Sequence, residues 1–507
     1  MENDQVSAGP RTSRWRMSSE TALLIFLASL GLIVGADRIA DNSMFVHMRT
    51  GIEMWTHKEI PRTDPYSFTA QGQPWVVQSW LASGIYGALH ALGGFKAVVV
   101  LNSVLTGIAA FLIVMMARTG RAAVSVGIGL TALMVAVSMW SPRPLMFGAV
   151  CFAIVVFVLD RNRSPLWLLP TFWVWVNTHG SFPAGIGFVV LYLLGSWLDR
   201  REVAWKYLLA GIGGVLLGAI NPLGPKLLLF WTNALSNGSL FKEISEWSSP
   251  DFHSLAGGLL LAGVVLSVAA LAAGKRQWRW VLPFTVFLAA TLWSVRYAPL
   301  LAVVIAPCLR TALANTRAVR EARDDAGAQG ASDRFRLLSV ACVGLAACVA
   351  ILVVVRVVTR EPLKFHDYPV AAVNSLSPAQ KERLALNEWA GCYRVLQEGR
   401  EAKVFMDDRF DMYPEQVSRD ALNLDRGQGS TAEILERYNF TAVVWEKDTP
   451  LGNYLRSQDQ WRLVYEDKKW IGFVPAGVEA WANALEAQQL PDASGLKPQV
   501  RNLKADT

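Results

Sequence analysis

Trp75-Val76-Val77-Gln78-Ser79-Trp80-Leu81-Ala82-Ser83-Gly84-Ile85-Tyr86-Gly87-Ala88-Leu89-His90-Ala91-Leu92 is the stretch on which the fold turns. It is apolar enough for a helix, yet Gln78, Ser79, Ser83 and His90 interrupt it. A helix that crosses a bilayer needs about 20 mostly apolar residues. Around it, the runs 21–35, 97–117, 122–140, 145–159, 165–176, 181–198, 207–219, 255–273, 280–293, 298–309 and 337–358 approach that requirement. Suppose 75–92 does not cross. The basic clusters Arg11/Arg14/Arg16, Arg118/Arg121, Arg161/Arg163, Arg200/Arg201/Lys206, Lys275/Arg276/Arg279 and the Arg-rich loop 310–336 then share one side. If it crosses, every later cluster lies opposite the first. Lys and Arg gather on the cytoplasmic side of membrane proteins. The chain therefore reads as eleven spans with a cytoplasmic N-terminus, and 75–92 lies along the outer interface as an amphipathic helix.

Composition agrees. Of 507 residues, 52% are hydrophobic and 18% charged, against about 25% charged in a soluble domain. Mean hydropathy is +0.29. A soluble enzyme and a disordered scaffold are both excluded. Five cysteines in this length exclude a disulfide framework. The run 21–35 has no A-x-A pattern after it and reads as a retained helix, not a removed signal peptide. No Walker loop, G-x-S-x-G, Cys-x-x-Cys or H-E-x-x-H is present, which excludes an ATP-driven pump on this chain. The expected partners are membrane lipids, and no nucleic acid.

Beyond 358 no window is long and apolar enough to cross. The fold class is thus mainly α: a polytopic helix bundle (1–358, with a first outer loop at 37–95) followed by a small extracytoplasmic α/β domain (359–507). In that tail, 402–406 and 441–445 read as strands, 431–438 and 451–457 as helices, and 461–465 with 470–474 as a hairpin. The loop 318–334 reads as a linker.

With this parity the distinctive polar turns all face outward. Asp37 and Asp41 are four apart, so on a helix they share a face. A carboxylate there can act as general base towards a hydroxyl or hold a divalent cation. His47 and Arg49 lie in the same loop. Arg143 stands between two prolines and Arg296 between two short apolar runs. A charge at membrane depth costs about 2.5–3.5 kcal/mol, so each needs a partner. That partner is a carboxylate of the chain or the phosphate of a lipid carrier, which guanidinium matches bidentately. His179, in Asn-Thr-His-Gly, suits proton shuttling, phosphate donation or a structural hydrogen bond. Glu243 and Glu246 are further carboxylates on that side. The run 165–176 is only about 18 Å long as a helix, which places His179 and Arg296 inside an outward cavity, unless the helices run a turn longer. Asp407-Asp408-Arg409-Phe410-Asp411 follows an expected strand, where α/β ligand sites open.

Taken in order, 41–51, 60–69, Pro74-Trp75-Val76-Val77-Gln78-Ser79-Trp80-Leu81, Arg143-Pro144, 177–180, Asn221-Pro222-Leu223-Gly224, 244–250, 296–299 and 404–413 resemble a large group of bacterial multi-pass proteins. That group looks like the GT-C superfamily of membrane glycosyltransferases. The resemblance implies a bacterial inner-membrane enzyme that takes a sugar from a polyprenyl-phosphate carrier and passes it to an acceptor on the outer face. It implies Asp41 as the catalytic carboxylate, acting as base or metal ligand, with Arg143, Arg296 and His179 on the carrier phosphate. Two positions depart from the group's pattern: Ser43 stands where it has a second acid, and Gln78-Ser79 where it often has His-Glu. Two rivals use the same residues differently. A glycolipid transporter or flippase needs no base, but the chain lacks the paired halves common in transporters. An inactive partner in a cell-envelope assembly complex accommodates both departures.

Overall fold

The computed structural model describes residues 18–136, 140, 142–228, 248–313 and 333–476. Glu243, Glu246 and residues 318–332 of the expected linker lie outside the described residues. The apolar part comprises helices α1 (Ser19–Gly35), α2 (Ser43–His57), α3 (Trp80–Met116), α4 (Ala122–Ala136), α5 (Leu145–Asp160), α6 (Leu168–Thr178), α7 (Phe182–Arg200), α8 (Trp205–Leu217), α9 (Leu255–Ala273), α10 (Trp278–Trp293), α11 (Ala298–Leu313) and α12 (Asp333–Thr359).

Among the described residues, five segments are long and apolar enough to cross a membrane: Trp80–Met116, Phe182–Arg200, Leu255–Ala273, Val295–Leu313 and Leu337–Thr359. Ser19–Gly35, Ala122–Ala136, Leu145–Asp160 and Trp205–Leu217 are shorter apolar helices. The run read as 298–309 therefore extends at both ends, because a 3-10 turn at Val295–Tyr297 precedes α11. The run read as 165–176 opens with a 3-10 turn at Pro165–Trp167, gains only two residues at the end of α6, and stays short.

The stretch 80–92 is set off by backbone. Gly93 and Gly94 are non-helical, with Gly94 at φ +62, a conformation open mainly to glycine. The half 80–92 is about 20 Å long, short of a hydrocarbon core of about 30 Å. The half 95–116 runs antiparallel to α1 through small and polar residues. Asn102 Nδ2 donates to the Gly35 carbonyl (2.9 Å), Ser103 Oγ to Leu32 (2.7 Å) and Thr106 Oγ1 to Gly31 (2.9 Å). A Cβ at Gly35 would lie 2.0 Å from Thr106 Oγ1. Apolar surface gives little drive between helices in lipid, so such close polar packing does the joining.

The basic loops meet at one end of the bundle. Glu20 accepts from Ser125 Oγ (2.6 Å), the Gly120 N–H (2.8 Å) and Arg118 Nε (3.1 Å). Arg161 reaches the Met115 carbonyl, and Arg310 pairs with Asp160. The Lys275 N–H donates to Ala312 (3.1 Å) and the Trp278 N–H to Asp199 (2.8 Å). Residues 36–94 depart from and return to the opposite end, since Glu20 lies beside Arg118 and Gly35 beside Asn102. Exposed Trp167, Trp205 and Trp278 mark the basic end, and exposed Trp55 and Trp293 the other. Interfacial aromatic belts have this form.

Among the described residues the tail forms one four-stranded sheet, order β1-β2-β4-β3, from β1 (Leu384–Ala385), β2 (Ala442–Glu446), β3 (Trp461–Glu466) and β4 (Trp470–Pro475). β1 and β2 are parallel; β3 and β4 form the hairpin. Helices form at Thr431–Tyr438 and Pro450–Arg456, and also at Glu388–Glu398 and Glu415–Arg426. The segment 402–406 is not a strand of this sheet. Val404 makes an isolated bridge with Ser67 of the first loop, its N–H donating to Tyr66 (2.9 Å) and its carbonyl accepting from Phe68 (3.1 Å). The tail is thereby stitched to the loop that precedes 75–92.

Candidate functional site

Asp41 lies just ahead of α2. It accepts from the Ser43 N–H (3.1 Å) and Ser43 Oγ (2.6 Å), and Arg143 Nε pairs with its Oδ2 at 2.9 Å. Both side chains of that pair are largely buried, 12% and 14% exposed. Arg143 is held there by the turn 142–144, which leads directly into α5.

In the first turn of α5 is Gly148. A Cβ on it would come within 2.7 Å of Ser181 Oγ and 3.2 Å of His179 Nδ1, so its bare backbone admits the turn after α6. Ser181 donates to His179 Nδ1 from both its N–H (3.2 Å) and its Oγ (2.8 Å), while that Oγ accepts from Trp175 Nε1 (3.0 Å). Nδ1 is therefore an acceptor, and the neutral ring carries its proton on Nε2. Arg143, Arg296 and His47 all act electrostatically on this ring. The turn is fixed to the segment 80–92 by Trp80 Nε1, which donates to Asn177 Oδ1 at 2.8 Å. Arg296 stands in the 3-10 turn between α10 and α11, partly buried.

His47, on α2, pairs through Nδ1 with Ser83 Oγ at 2.9 Å. Here α2 and α3 touch backbone to backbone: a Cβ on Gly51 would lie 1.8 Å from the Ser83 carbonyl oxygen. Burial pushes the imidazole down to about 4, against the pull of Asp41. From its ordinary 6.5 down to about 4, the unfolded chain binds a proton that the folded chain does not. Stability thus rises with pH across that window and falls on acidification. Thermal melting in detergent should drop between pH 7 and pH 5, and His47→Gln should flatten that part of the slope. An unchanged slope in the variant contradicts the assignment.

One turn beyond Ser83, Tyr86 is fully buried, and among the described residues its hydroxyl has no hydrogen-bond partner. It lies within electrostatic reach of Asp41 and edge-on to Phe147 at 5.8 Å, one turn past Arg143. A buried hydroxyl left unpaired costs about 1–3 kcal/mol, and a ligand at Asp41 is what it can meet. Gln78 Nε2 is likewise buried without a partner. Gln78 stands out in the sequence as a polar interruption of an apolar run; Tyr86 does not, and only its orphaned hydroxyl reveals it.

Two of the loop residues are not part of this gathering. The helical spacing of Asp37 and Asp41 does not apply, because 36–42 is not helical. There the Ile39 N–H pairs with the Pro362 carbonyl (2.9 Å) and draws Asp37 towards Arg356 (2.9 Å). Arg49 is two residues from His47, about 200° around the helix, and faces the tail. Its Nε pairs with Glu53 (2.9 Å), which also takes Arg400 (3.1 Å), and its guanidinium fills the space beside Gly399. Glu246 lies outside the described residues.

The tail reaches the site. Tyr368 Oη donates to Asn42 Oδ1 at 3.0 Å. Asp408, whose N–H donates to Cys392 Sγ (3.3 Å), is held well above the usual carboxylate range by burial, then by Glu388, Asp407 and Asp41. Asp407 is no ligand group. Arg409 grips it through Nε (2.8 Å) and Nη2 (2.6 Å), takes Asp64 at 2.7 Å, and packs over Trp75 at 4.4 Å. Asp64 in turn accepts from Ser67 Oγ (2.5 Å). This buried cluster clamps the tail to the first loop.

The groups around Asp41 do not fit a divalent cation. Its oxygens meet Ser43 and Arg143, and among the described residues no group of three or more His, Cys, Asp or Glu is placed to hold one.

No protein-family model and no curated protein matches the sequence. Among solved structures, the crystal structure of ArnT from Cupriavidus metallidurans bound to undecaprenyl phosphate is similar over 90% of this chain and 97% of its own, at 14% identity and a TM-score of 0.46.

Proposed function

We propose that the chain is a membrane glycosyltransferase of the GT-C type, moving a sugar from a polyprenyl-phosphate carrier to an acceptor at the outer face. On this reading the chain makes eleven spans in a bacterial inner membrane, the N-terminus is cytoplasmic and the tail lies outside. The observation that carries the reading is the meeting, at one end of the bundle, of Asp41 with Arg143, with His179 and Arg296 beside them and the orphaned Tyr86 hydroxyl within electrostatic reach of Asp41.

These groups divide the work of an inverting displacement. Asp41 takes the proton of the acceptor hydroxyl as its oxygen attacks the anomeric carbon. The bond from that carbon to the carrier phosphate oxygen breaks, and the phosphate leaves with the electron pair. Arg143, Arg296 and the Nε2–H of His179 receive that charge as fixed donors. Tyr86 donates to the bound sugar or phosphate. Neutral His47 keeps Ser83, and through it α3, in register with α2. The clamp of Arg409, Asp407 and Asp64 holds the tail over the acceptor side.

A deletion strain tests this. It should lose one surface glycan and accumulate a lipid-linked sugar, and the wild-type chain should reverse both. A deletion that leaves lipid-linked sugars and surface glycans unchanged overturns the proposal.

A further inference from the structure

A second basic site lies at the same end of the bundle, away from Arg143. Where α1, the 95–116 half of α3 and the C-terminal end of α12 meet, a depression is lined by Asp37, Arg38, Lys96, Arg356, Arg360 and Glu361. Four cations face two carboxylates there. Asp37 takes Arg356 at 2.9 Å and leaves the Arg356 Nε buried without a partner. Lys96 Nζ donates to the Val358 carbonyl at 2.7 Å, which caps the end of α12 and keeps the ammonium at the rim. Arg38 and Arg360 are exposed; among the described residues neither makes a close ion pair, and Arg360 acts on Asp37 only at a distance.

The other half of the site is apolar. Ile351, Val354, Val355 and Val358 follow one another at i, i+3, i+4 and i+7 along α12, so they form a single stripe. All four are exposed, from 48% to 63%. The stripe ends at Val358, whose carbonyl holds Lys96. An apolar track that runs into a pocket with an excess of two positive charges matches one kind of molecule, a lipid with an anionic head.

We infer that this depression binds the phosphate of an anionic bilayer phospholipid, whose acyl chain lies along the α12 stripe. Arg38 and Arg360 make the outer contacts, and Arg356, oriented by Asp37, presents its Nε from beneath. The carrier's phosphate has the same chemistry, but its reaction takes place at Asp41 and Arg143. The inference does not depend on the transfer reaction.

Native mass spectrometry of the detergent-purified full chain tests it, with phosphatidylglycerol, phosphatidylcholine, undecaprenyl phosphate and inorganic phosphate as separate probes. Phosphatidylglycerol should be retained, and phosphatidylcholine and inorganic phosphate should not. Each basic residue near a lipid surface strengthens binding severalfold, so Arg38→Ala with Arg360→Ala should weaken retention about thirtyfold. Melting without lipid should change little, because both side chains are exposed and neither makes a close ion pair among the described residues. Equal retention of phosphatidylcholine, or retention that the double substitution leaves intact, overturns the inference. So does a double substitution that releases undecaprenyl phosphate but not phosphatidylglycerol, which would make the depression part of the donor path.

Discussion

Asp41→Asn is expected to reproduce the deletion phenotype while leaving the protein folded. The amide oxygen still accepts from the Ser43 N–H and Oγ, which hold Asp41 Oδ1 at 3.1 and 2.6 Å. What is lost is the negative charge beside Arg143 and the basic oxygen that accepts the acceptor's proton. A positioned general base contributes about 10²- to 10⁴-fold to a rate. Consumption of the lipid-linked sugar in isolated membranes should fall by that factor, and the sugar should accumulate in cells. Melting in detergent separates this from misfolding, since the variant should still unfold in one cooperative step. Asn at 41 with the surface glycan close to wild type leaves the carboxylate without a catalytic part. It would favour a transporter, or an assembly partner that holds the same pocket without chemistry.

The second large effect falls on stability. Arg409→Ala removes the guanidinium between Asp407 and Asp64, both of which are buried. Breaking a buried ion pair from one side costs about 3–5 kcal/mol, because the remaining charge stays buried and unpaired. Two carboxylates are orphaned here, and the packing over Trp75 and Tyr66 goes with them. The variant should melt well below wild type. Limited proteolysis should cut first in the loop around residues 62–75, where the tail is clamped. Adding Asp64→Asn and Asp407→Asn should restore part of the loss, since neutral amides no longer need the cation; that coupling between neighbours is what a mutant cycle measures. A variant that melts with wild type would show that the bridge between Ser67 and Val404 holds the tail without the cluster.

The course of the chain was legible where a physical rule acts on local residues. The basic clusters sort the loops to one end by charge alone. The hairpin of β3 and β4 and the helix Thr431–Tyr438 followed from alternation and period. The misreadings share another cause. Asp37 and Asp41 were placed on one face by a helical rule, but a backbone hydrogen bond from Ile39 to Pro362 keeps that stretch out of a helix. His47 and Arg49 are neighbours in sequence and face opposite ways because α2 is a helix. The segment 402–406 has the composition of a strand, and its partner is a loop at the far end of the chain, which no local pattern can announce. Arg143 and Arg296 were found from the cost of charge near lipid, and His179 from its polar turn after a short apolar run. Tyr86 was not, because a tyrosine in an apolar helix is ordinary until its hydroxyl is found unpaired.

The most direct test is a structure of the full chain with undecaprenyl phosphate, the carrier that any donor sugar would leave behind. The account predicts phosphate density within hydrogen-bond distance of Arg143, Arg296 and the Nε2 of His179, with Asp41 on its open side. Phosphate bound elsewhere, with the pair of Asp41 and Arg143 undisturbed, would contradict it.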